Sequence, residues 1–372
     1  MSIKVHPITF PKKVNMSKQK ATIYLKTVAW LIAVSTSLSG CSIGYYAQSV
    51  SGQLDLMWKR EPISELLKKD STPLELKSKL EQVLQIRQFA SDQLHLPKND
   101  SYKTYVQLDR NYVVWNVVAA PEFSLQLDHW CFLIVGCVNY RGYYHEQDAQ
   151  AFGDKLRKQG QDVYVYGVDA YSTLGWFNDP MLSTVINRSE PRLAGLVFHE
   201  LAHQLLFIKN DSAFDESFAK TVEIEGVKRW MQYRGKPQLT DLYLLQKQRE
   251  DQFVALVHHT ADKLRGLYEE NIPEATMRER KAAVFQEMRQ QYVQLKADWD
   301  GYSGYDAWFA SNLNNAKLGT IGVYRDLVPA FQALLRQQHG DLQAFYAAAR
   351  QLSKLPKEQR DAELDKLAHA NG

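Results

Sequence analysis

The sequence predicts an α+β fold that is mostly helical, and two observations support this. Apolar residues recur at helical spacing from Ser51 to about Leu96 and again after Trp230, which is the pattern of helices with one buried face. Between Tyr102 and Tyr144 the composition shifts to aromatic and β-branched residues, which favour strands. We therefore expect a small mixed β-sheet beside a helical core, followed by a helical carboxy-terminal region.

Changes of composition divide the chain into four predicted segments. Residues 1–40 form a leader, 41–100 a helical region, 101–235 the core and 236–372 a helical carboxy-terminal region. Within the first helical region a break is expected at Pro73. A proline directly after a capping residue suits the first turn of a new helix and not the interior of an old one.

Shorter patterns predict the individual elements. Strands are expected at residues 112–118, 130–135 and 162–168, and a helix at 148–159. Breaks in the carboxy-terminal helices are expected at prolines and polar turns: Pro237, Asn271 to Pro273, Asp298 to Tyr305 and Pro356.

The leader has the composition of a secretory signal. It holds six lysines and no acidic residue, then an apolar run from Thr27 to Val34 that closes at Leu38-Ser39-Gly40-Cys41. This ending resembles a bacterial lipobox, which implies that Cys41 takes the lipid and anchors the chain. A membrane span is the alternative reading, but the run is shorter than the about 20 residues that cross a bilayer.

Without the leader the chain is slightly acidic. It carries 45 basic and 42 acidic residues in all, and the six leader lysines account for the excess. No nucleic-acid partner is therefore expected. In bacterial lipoproteins, a residue such as Ser42 after the lipidated cysteine implies the outer membrane, here facing the periplasm. Because Met16 opens a signal of normal length, translation starts at either Met1 or Met16.

Two further cysteines, Cys131 and Cys137, lie six residues apart. An envelope compartment permits a disulfide bond between them. In a straight strand they would lie about 20 Å apart, so the bond requires a turn or bulge. A disulfide and two buried free thiols both remain open.

The segment His199-Glu200-Leu201-Ala202-His203 predicts a metal site. A helix advances about 100° per residue, so two histidines four apart project from one face and can share an ion. Glu200 lies one residue round the helix, where it can hold and deprotonate a metal-bound water. The alternative is a pair of core histidines satisfied by hydrogen bonds. Because the flanking residues are apolar on every side, that alternative requires a separate partner for each buried polar group.

A catalytic zinc takes three protein ligands and keeps its fourth position for water. Glu216 and Glu223 are both candidates for the third ligand. If the chain turns near residues 209–211 and returns as an antiparallel helix, Glu216 lies near the level of His203 and Glu223 near that of His199. Geometry alone does not choose between them.

The order His-Glu-Leu-Ala-His-Gln, then Asp215-Glu216-Ser217-Phe218-Ala219 and a further glutamate at Glu223, resembles gluzincin aminopeptidases of the alanyl aminopeptidase type. This resemblance implies a gluzincin-like metallopeptidase core in which Glu216 is the ligand. Glu223 would then accept the free N–H of a ligand histidine. The connection is several residues shorter than in that family, which leaves Glu223 as the alternative ligand.

Nearly the whole chain after the leader also resembles bacterial lipoproteins described as predicted aminopeptidases. The residues that carry this likeness are Trp115 to Pro121, Tyr140 to Tyr143, Ala170 to Pro180, the metal motif with Phe214 to Ala219, and Leu313 to Ala316. The likeness implies zinc-dependent hydrolysis of peptides by a lipid-anchored envelope enzyme.

The expected function is therefore that of a membrane-anchored zinc peptidase with Glu200 as general base and a peptide as substrate, and the resemblance implies that it is an aminopeptidase. Two alternatives remain: a zinc endopeptidase, and a non-enzymatic envelope lipoprotein with a relic metal site. The tetrahedral intermediate needs a second oxyanion donor besides the metal. Tyr324 is one candidate among the 20 tyrosines of the chain.

Overall fold

The computed structural model describes residues 45, 48–49, 51–132, 136–170, 178–321 and 327–369. Residues 1–53 and 54–372 form two units, and the described residues of the first unit are helical. The predicted leader and Cys41 lie outside the described residues. Among the described helices, none combines the length and the apolar character that a bilayer crossing requires.

The strands of the second unit form three small sheets within the described part of the chain. The strands are β1 (Glu61–Pro62), β2 (Thr104–Val106), β3 (Val114–Pro121), β4 (Trp130–Phe132), β5 (Gly136–Val138), β6 (Arg141–Tyr143), β7 (Gln161–Val168) and β8 (Met181–Leu182). β2 pairs antiparallel with β1 and parallel with β8. β3 lies between β6 and β7, antiparallel to both. β4 and β5 pair antiparallel.

Helices make up most of the second unit, which confirms the predicted α+β, mostly helical class. They are α1 (Ile63–Leu66), α2 (Leu74–Asp92), α3 (Glu146–Arg157), α4 (Ser183–Ile186), α5 (Glu190–Leu205), α6 (Ser212–Tyr233), α7 (Gln238–Tyr268), α8 (Glu274–Asp298), α9 (Asp306–Ala310), α10 (Asn315–Gly319), α11 (Val328–Gln337), α12 (Leu342–Leu352) and α13 (Lys357–His369).

Several helix boundaries lie where the turn residues predicted them. α2 begins directly after Pro73, α7 directly after Pro237, α8 after Pro273 and α13 after Pro356. In each case the ring fixes φ near the helical value and its missing N–H is not needed at a helix start. The strand predicted at 130–135 is confirmed as far as Phe132, and the three residues after it lie outside the described part.

The main hydrophobic core lies between α2, α5, α6, α11 and α12. Its largest side chains are fully buried aromatic rings: Phe198, Phe214, Phe218, Trp230, Phe331 and Phe345. Each such ring stabilises the fold by about 1.5–3 kcal/mol relative to an exposed one. A second cluster joins α7, α8 and α9 around Phe253, Phe285 and Phe309. α5 and α6 bury their apolar faces in this main core. Their polar faces form the site described below.

Two adjacent asparagines connect the carboxy-terminal helices to the β3/β7 sheet. Asn314 caps α10 by accepting from the Lys317 amide at 2.9 Å, and it donates to the Val163 carbonyl at 3.0 Å. Asn315 donates to the carbonyl of Pro121 at 3.1 Å. Both asparagines belong to the segment Leu313 to Ala316 that carries the likeness to the lipoprotein family, and they hold α10 against the sheet.

The pairing of β4 with β5 brings Cys131 and Cys137 together. Cys131 lies directly opposite Cys137 across the two antiparallel strands, and the two form a disulfide bond with their Cα atoms 3.9 Å apart. The reversal of the chain between the strands removes the separation that a straight strand would impose.

Candidate metal centre

α5 presents the histidine motif because its other faces are buried. Ser189 precedes the helix and Pro191 lies in its first turn, where a proline is favoured. Its apolar residues, Leu193, Ala194, Val197, Phe198, Leu201 and Ala202, are fully buried. His199 and Glu200 are half-buried on the remaining face.

α6 supplies the glutamates and is fixed at its first turn. The Asp211 carboxylate accepts from the Phe214 amide at 3.3 Å, which caps the helix. Asp211 is in turn bound by the Arg360 guanidinium from α13, with Nε at 3.0 Å. Both charged groups are buried, at 3 % and 4 % exposure, so the pair is intolerant of losing either partner.

Three ligand atoms converge between the two helices. His199 Nε2 lies 3.1 Å from His203 Nε2. The two oxygens of the Glu216 carboxylate face the two rings, with Oε2 3.3 Å from His199 Nε2 and Oε1 3.5 Å from His203 Nε2. Bonds of about 2.1 Å at tetrahedral angles place the ligand atoms of zinc about 3.4 Å apart. The donor set and its spacing therefore fit a metal ion, and the three residues form the group able to hold one.

Glu223 occupies a different position from Glu216. Its Oε2 lies 3.0 Å from Nδ1 of His199, the nitrogen that faces away from the triangle. Its Oε1 accepts from the Tyr243 hydroxyl at 2.5 Å and lies 2.9 Å from Lys247 Nζ. Glu223 therefore orients the His199 ring, as carboxylates commonly do behind metal-binding histidines.

A glycine of α5, Gly195, leaves the space that the Glu223 side chain occupies. A Cβ atom at Gly195 would lie 3.3 Å from both the Glu223 side chain and the Tyr243 hydroxyl. Gly195 thus permits α6 and α7 to approach α5 at the level of His199. Sequence reasoning did not assign this glycine a role, although a glycine inside a helix pattern is a signal of close packing.

The charges of the site act mainly on His199. Burial by itself lowers the pKa of His199, but the Glu216 and Glu223 carboxylates overcome this and raise the pKa to about 10. Burial would raise the pKa of Glu216, and the two histidines instead hold it well below its usual range. In the metal-free protein His199 therefore carries a proton at neutral pH, which a metal must displace.

We expect zinc binding to release about one proton and to strengthen with pH. Because the pKa of His199 is raised from 6.5 to about 10, its proton stabilises the metal-free fold below about pH 6.5, and that contribution is lost as the pH rises through about 10. Between these values the apparent zinc affinity should rise about tenfold per pH unit. Competition with a chromophoric chelator at about pH 7 and pH 8 measures this. An affinity independent of pH would contradict it.

Two cavities that share lining residues border the site. One of about 600 Å³ lies beside His199 and Glu200, and another of about 390 Å³ lies on the side of Glu216. His199 and Glu223 line both, so the metal centre stands between them. We call the two together the cleft. Lys247 and Glu250 of α7 also line both cavities.

The last residue of the sequence motif, Gln204, joins α5 to the loop before β2. It accepts from the Asn99 amide at 2.7 Å and donates to Ser101 Oγ at 3.3 Å. The next residue, Tyr102, is buried and has a φ of 64°, which is uncommon for a bulky side chain. Burial is the main cause that raises the pKa of Tyr102 well above its usual range, and the negative charge of Glu200 raises it further. The loop therefore holds a protonated phenol close to Glu200.

Sequence reasoning identified the residues of α5 and α6 but missed those from distant segments. Tyr243, Lys247 and Tyr102 carry no local pattern that separates them from other tyrosines and lysines. The oxyanion candidate Tyr324 and most of the loop between Ala170 and Pro180 lie outside the described residues.

A His-Glu-x-x-His helix at the wall of an open cleft is typical of peptidases. The chain belongs to the family described as "Putative aminopeptidase", whose model matches residues 44–364. The match includes every residue of the candidate metal centre and supports a peptidase. Neither a curated protein nor a solved structure matches the chain.

Proposed function

We propose that the chain is a zinc-dependent aminopeptidase of the gluzincin type that acts in the cleft beside α5. The observation that carries this proposal is the convergence of three side chains. His199 Nε2 and His203 Nε2 lie 3.1 Å apart, and the Glu216 carboxylate places Oε2 3.3 Å from the first and Oε1 3.5 Å from the second. These three residues would hold zinc. Zinc supplies a Lewis acid that lowers the pKa of bound water to about 7 and polarises the peptide carbonyl.

Glu200 is the proposed general base. It follows His199 by one residue, so its carboxylate points about 100° away round the helix and faces the cleft. From there it would accept the proton of the attacking water and deliver it to the leaving amine. The carboxylate is restored at the end of the cycle.

Glu223, Tyr243 and Lys247 would act through His199. Nδ1–H of His199 would donate a hydrogen bond to Glu223, which leaves Nε2 as the unprotonated nitrogen that faces His203 and Glu216. The Tyr243 hydroxyl and Lys247 ammonium both bind the other oxygen of Glu223. This keeps the carboxylate ionised and its orientation defined.

We also propose that Cys41 is lipidated and anchors the chain to the outer membrane, facing the periplasm. The disulfide between Cys131 and Cys137 supports a compartment outside the reducing cytoplasm. The substrate would then be a peptide of the envelope, and a nucleic-acid partner is not part of the proposal.

The deciding experiment combines metal content with substrate profiling. We expect purified protein to contain about one zinc per chain, which is lost in His199→Ala. We expect it to cleave peptides with a free amino terminus and to leave amino-terminally acetylated peptides intact. Cleavage of acetylated peptides would move the protein to the endopeptidases. A wild-type protein that does not bind zinc would refute the proposal.

A further inference from the structure

The larger cavity contains a pair of arginines at the end remote from the metal centre. Arg188 and Arg192 line its wall together with Leu196, His199 and Glu200. Three of these, Arg192, Leu196 and His199, follow one another at four- and three-residue intervals on α5, so they form a stripe on one face of the helix. The cavity therefore runs along α5 from the metal centre to Arg192.

Arg192 differs from Arg188 in its partners. Arg188 Nη2 is paired with Asp169 at 2.6 Å. Arg192 is exposed and, within the described residues, forms no ion pair. Burial raises the pKa of Tyr243 and of Tyr305, and the charge of Arg192 partly opposes this in both. The guanidinium thus lies near the phenols on the cleft side.

The surroundings of Arg192 favour an anion. It lies in the first turn of a 16-residue helix, where the helix dipole is positive. The acidic residue of that turn, Glu190, is already neutralised elsewhere, by Arg234 at 3.0 Å and Lys236 at 2.8 Å. A guanidinium with no carboxylate partner in a cleft can bind one bidentately.

The distance from the metal centre indicates what that anion is. Arg192 and His199 are seven residues apart, which is about 10 Å along the helix axis. An extended peptide covers about 3.4 Å per residue, so roughly three residues span this distance. We propose that Arg192 binds the carboxy-terminal carboxylate of short peptides, of about four residues when cleaved after the first. This substrate class rests on the proposed function of the same site.

The test measures binding separately from hydrolysis. Zinc-loaded Glu200→Gln protein is titrated calorimetrically with tetra-alanine, with tetra-alanine amide, and with an amidated tetrapeptide whose last residue is glutamate. We expect the free acid to bind roughly 10- to 100-fold more tightly than tetra-alanine amide. Introducing Arg192→Ala into the Glu200→Gln protein should abolish the difference in affinity between acid and amide. Arg280→Ala, an exposed arginine that binds Glu270 at 2.7 Å and lines neither cavity of the cleft, should preserve it.

Each result has a defined meaning. Equal binding of acid and amide, or no binding of any peptide, would overturn the Arg192 assignment. If the amidated glutamate peptide binds as tightly as the free acid, the site accepts any carboxylate at that position and its assignment to the peptide terminus is wrong. A preference for the free acid that disappears in Arg192→Ala, in a wild-type protein that cleaves no peptide, would keep the assignment and refute the peptidase proposal. If the wild-type protein cleaves acid and amide at equal kcat/KM, the peptidase proposal is kept and the Arg192 assignment is refuted.

Discussion

Glu200→Gln is expected to lower kcat by about 10²- to 10⁴-fold while zinc remains bound. The amide keeps the size of the side chain but cannot accept the proton of the attacking water. Because Glu200 is not one of the three converging residues, the metal should be retained. Initial rates on a peptide with a free amino terminus measure kcat, and atomic emission measures the zinc content.

The matched control for this variant is Glu190→Gln, the same substitution on the same helix. Glu190 is bound by Arg234 and Lys236 away from the metal centre, so its loss should leave kcat within a few-fold of wild type. A Glu200→Gln protein that retains more than about a tenth of the wild-type rate would exclude Glu200 as the general base.

Glu216→Ala is expected to reduce zinc affinity more than Glu223→Gln does. The first substitution removes a carboxylate that lies 3.3 and 3.5 Å from the two Nε2 atoms. The second weakens only the group behind His199 Nδ1, and such changes cost about 10- to 100-fold in affinity. Chelator competition on both proteins gives the two constants.

A neighbouring glutamate of α6 provides the control for this pair. Glu225 binds Arg229 at 2.7 Å and has no contact with the histidines, so Glu225→Gln should bind zinc like the wild type. A larger loss in Glu223→Gln than in Glu216→Ala would reverse the assignment and make Glu223 the ligand, the alternative that the short connection between the helices left open.

Local patterns predicted the parts of the site that lie within one helix. The spacing of His199 and His203, four residues apart, follows from the pitch of the helix. Prolines marked four of the helix starts because their effect on the backbone is local. The choice between Glu216 and Glu223 could not be made from spacing, because it depends on how closely α5 and α6 pack at Gly195.

The remaining site residues depend on contacts between distant segments. Tyr243 and Lys247 reach Glu223 from the helical region that sequence reasoning treated as separate from the core. Tyr102 is brought to Glu200 by a loop attached through Gln204. Arg192 was not recognised because an arginine in the first turn of a helix is ordinary, and its position in a cleft appears only when α7 is packed against α5.

The buried pair between Asp211 and Arg360 has a consequence for biosynthesis. The two residues are 149 positions apart, and Asp211 caps the helix that carries Glu216. Domains begin to fold from the amino terminus as the chain is made, yet this cap cannot be secured before residue 360 has been translated and has docked. A nascent or truncated chain would therefore contain the histidine motif without a firmly held Glu216. In the proposed peptidase, hydrolytic competence would therefore come only after most of the polypeptide has been synthesised.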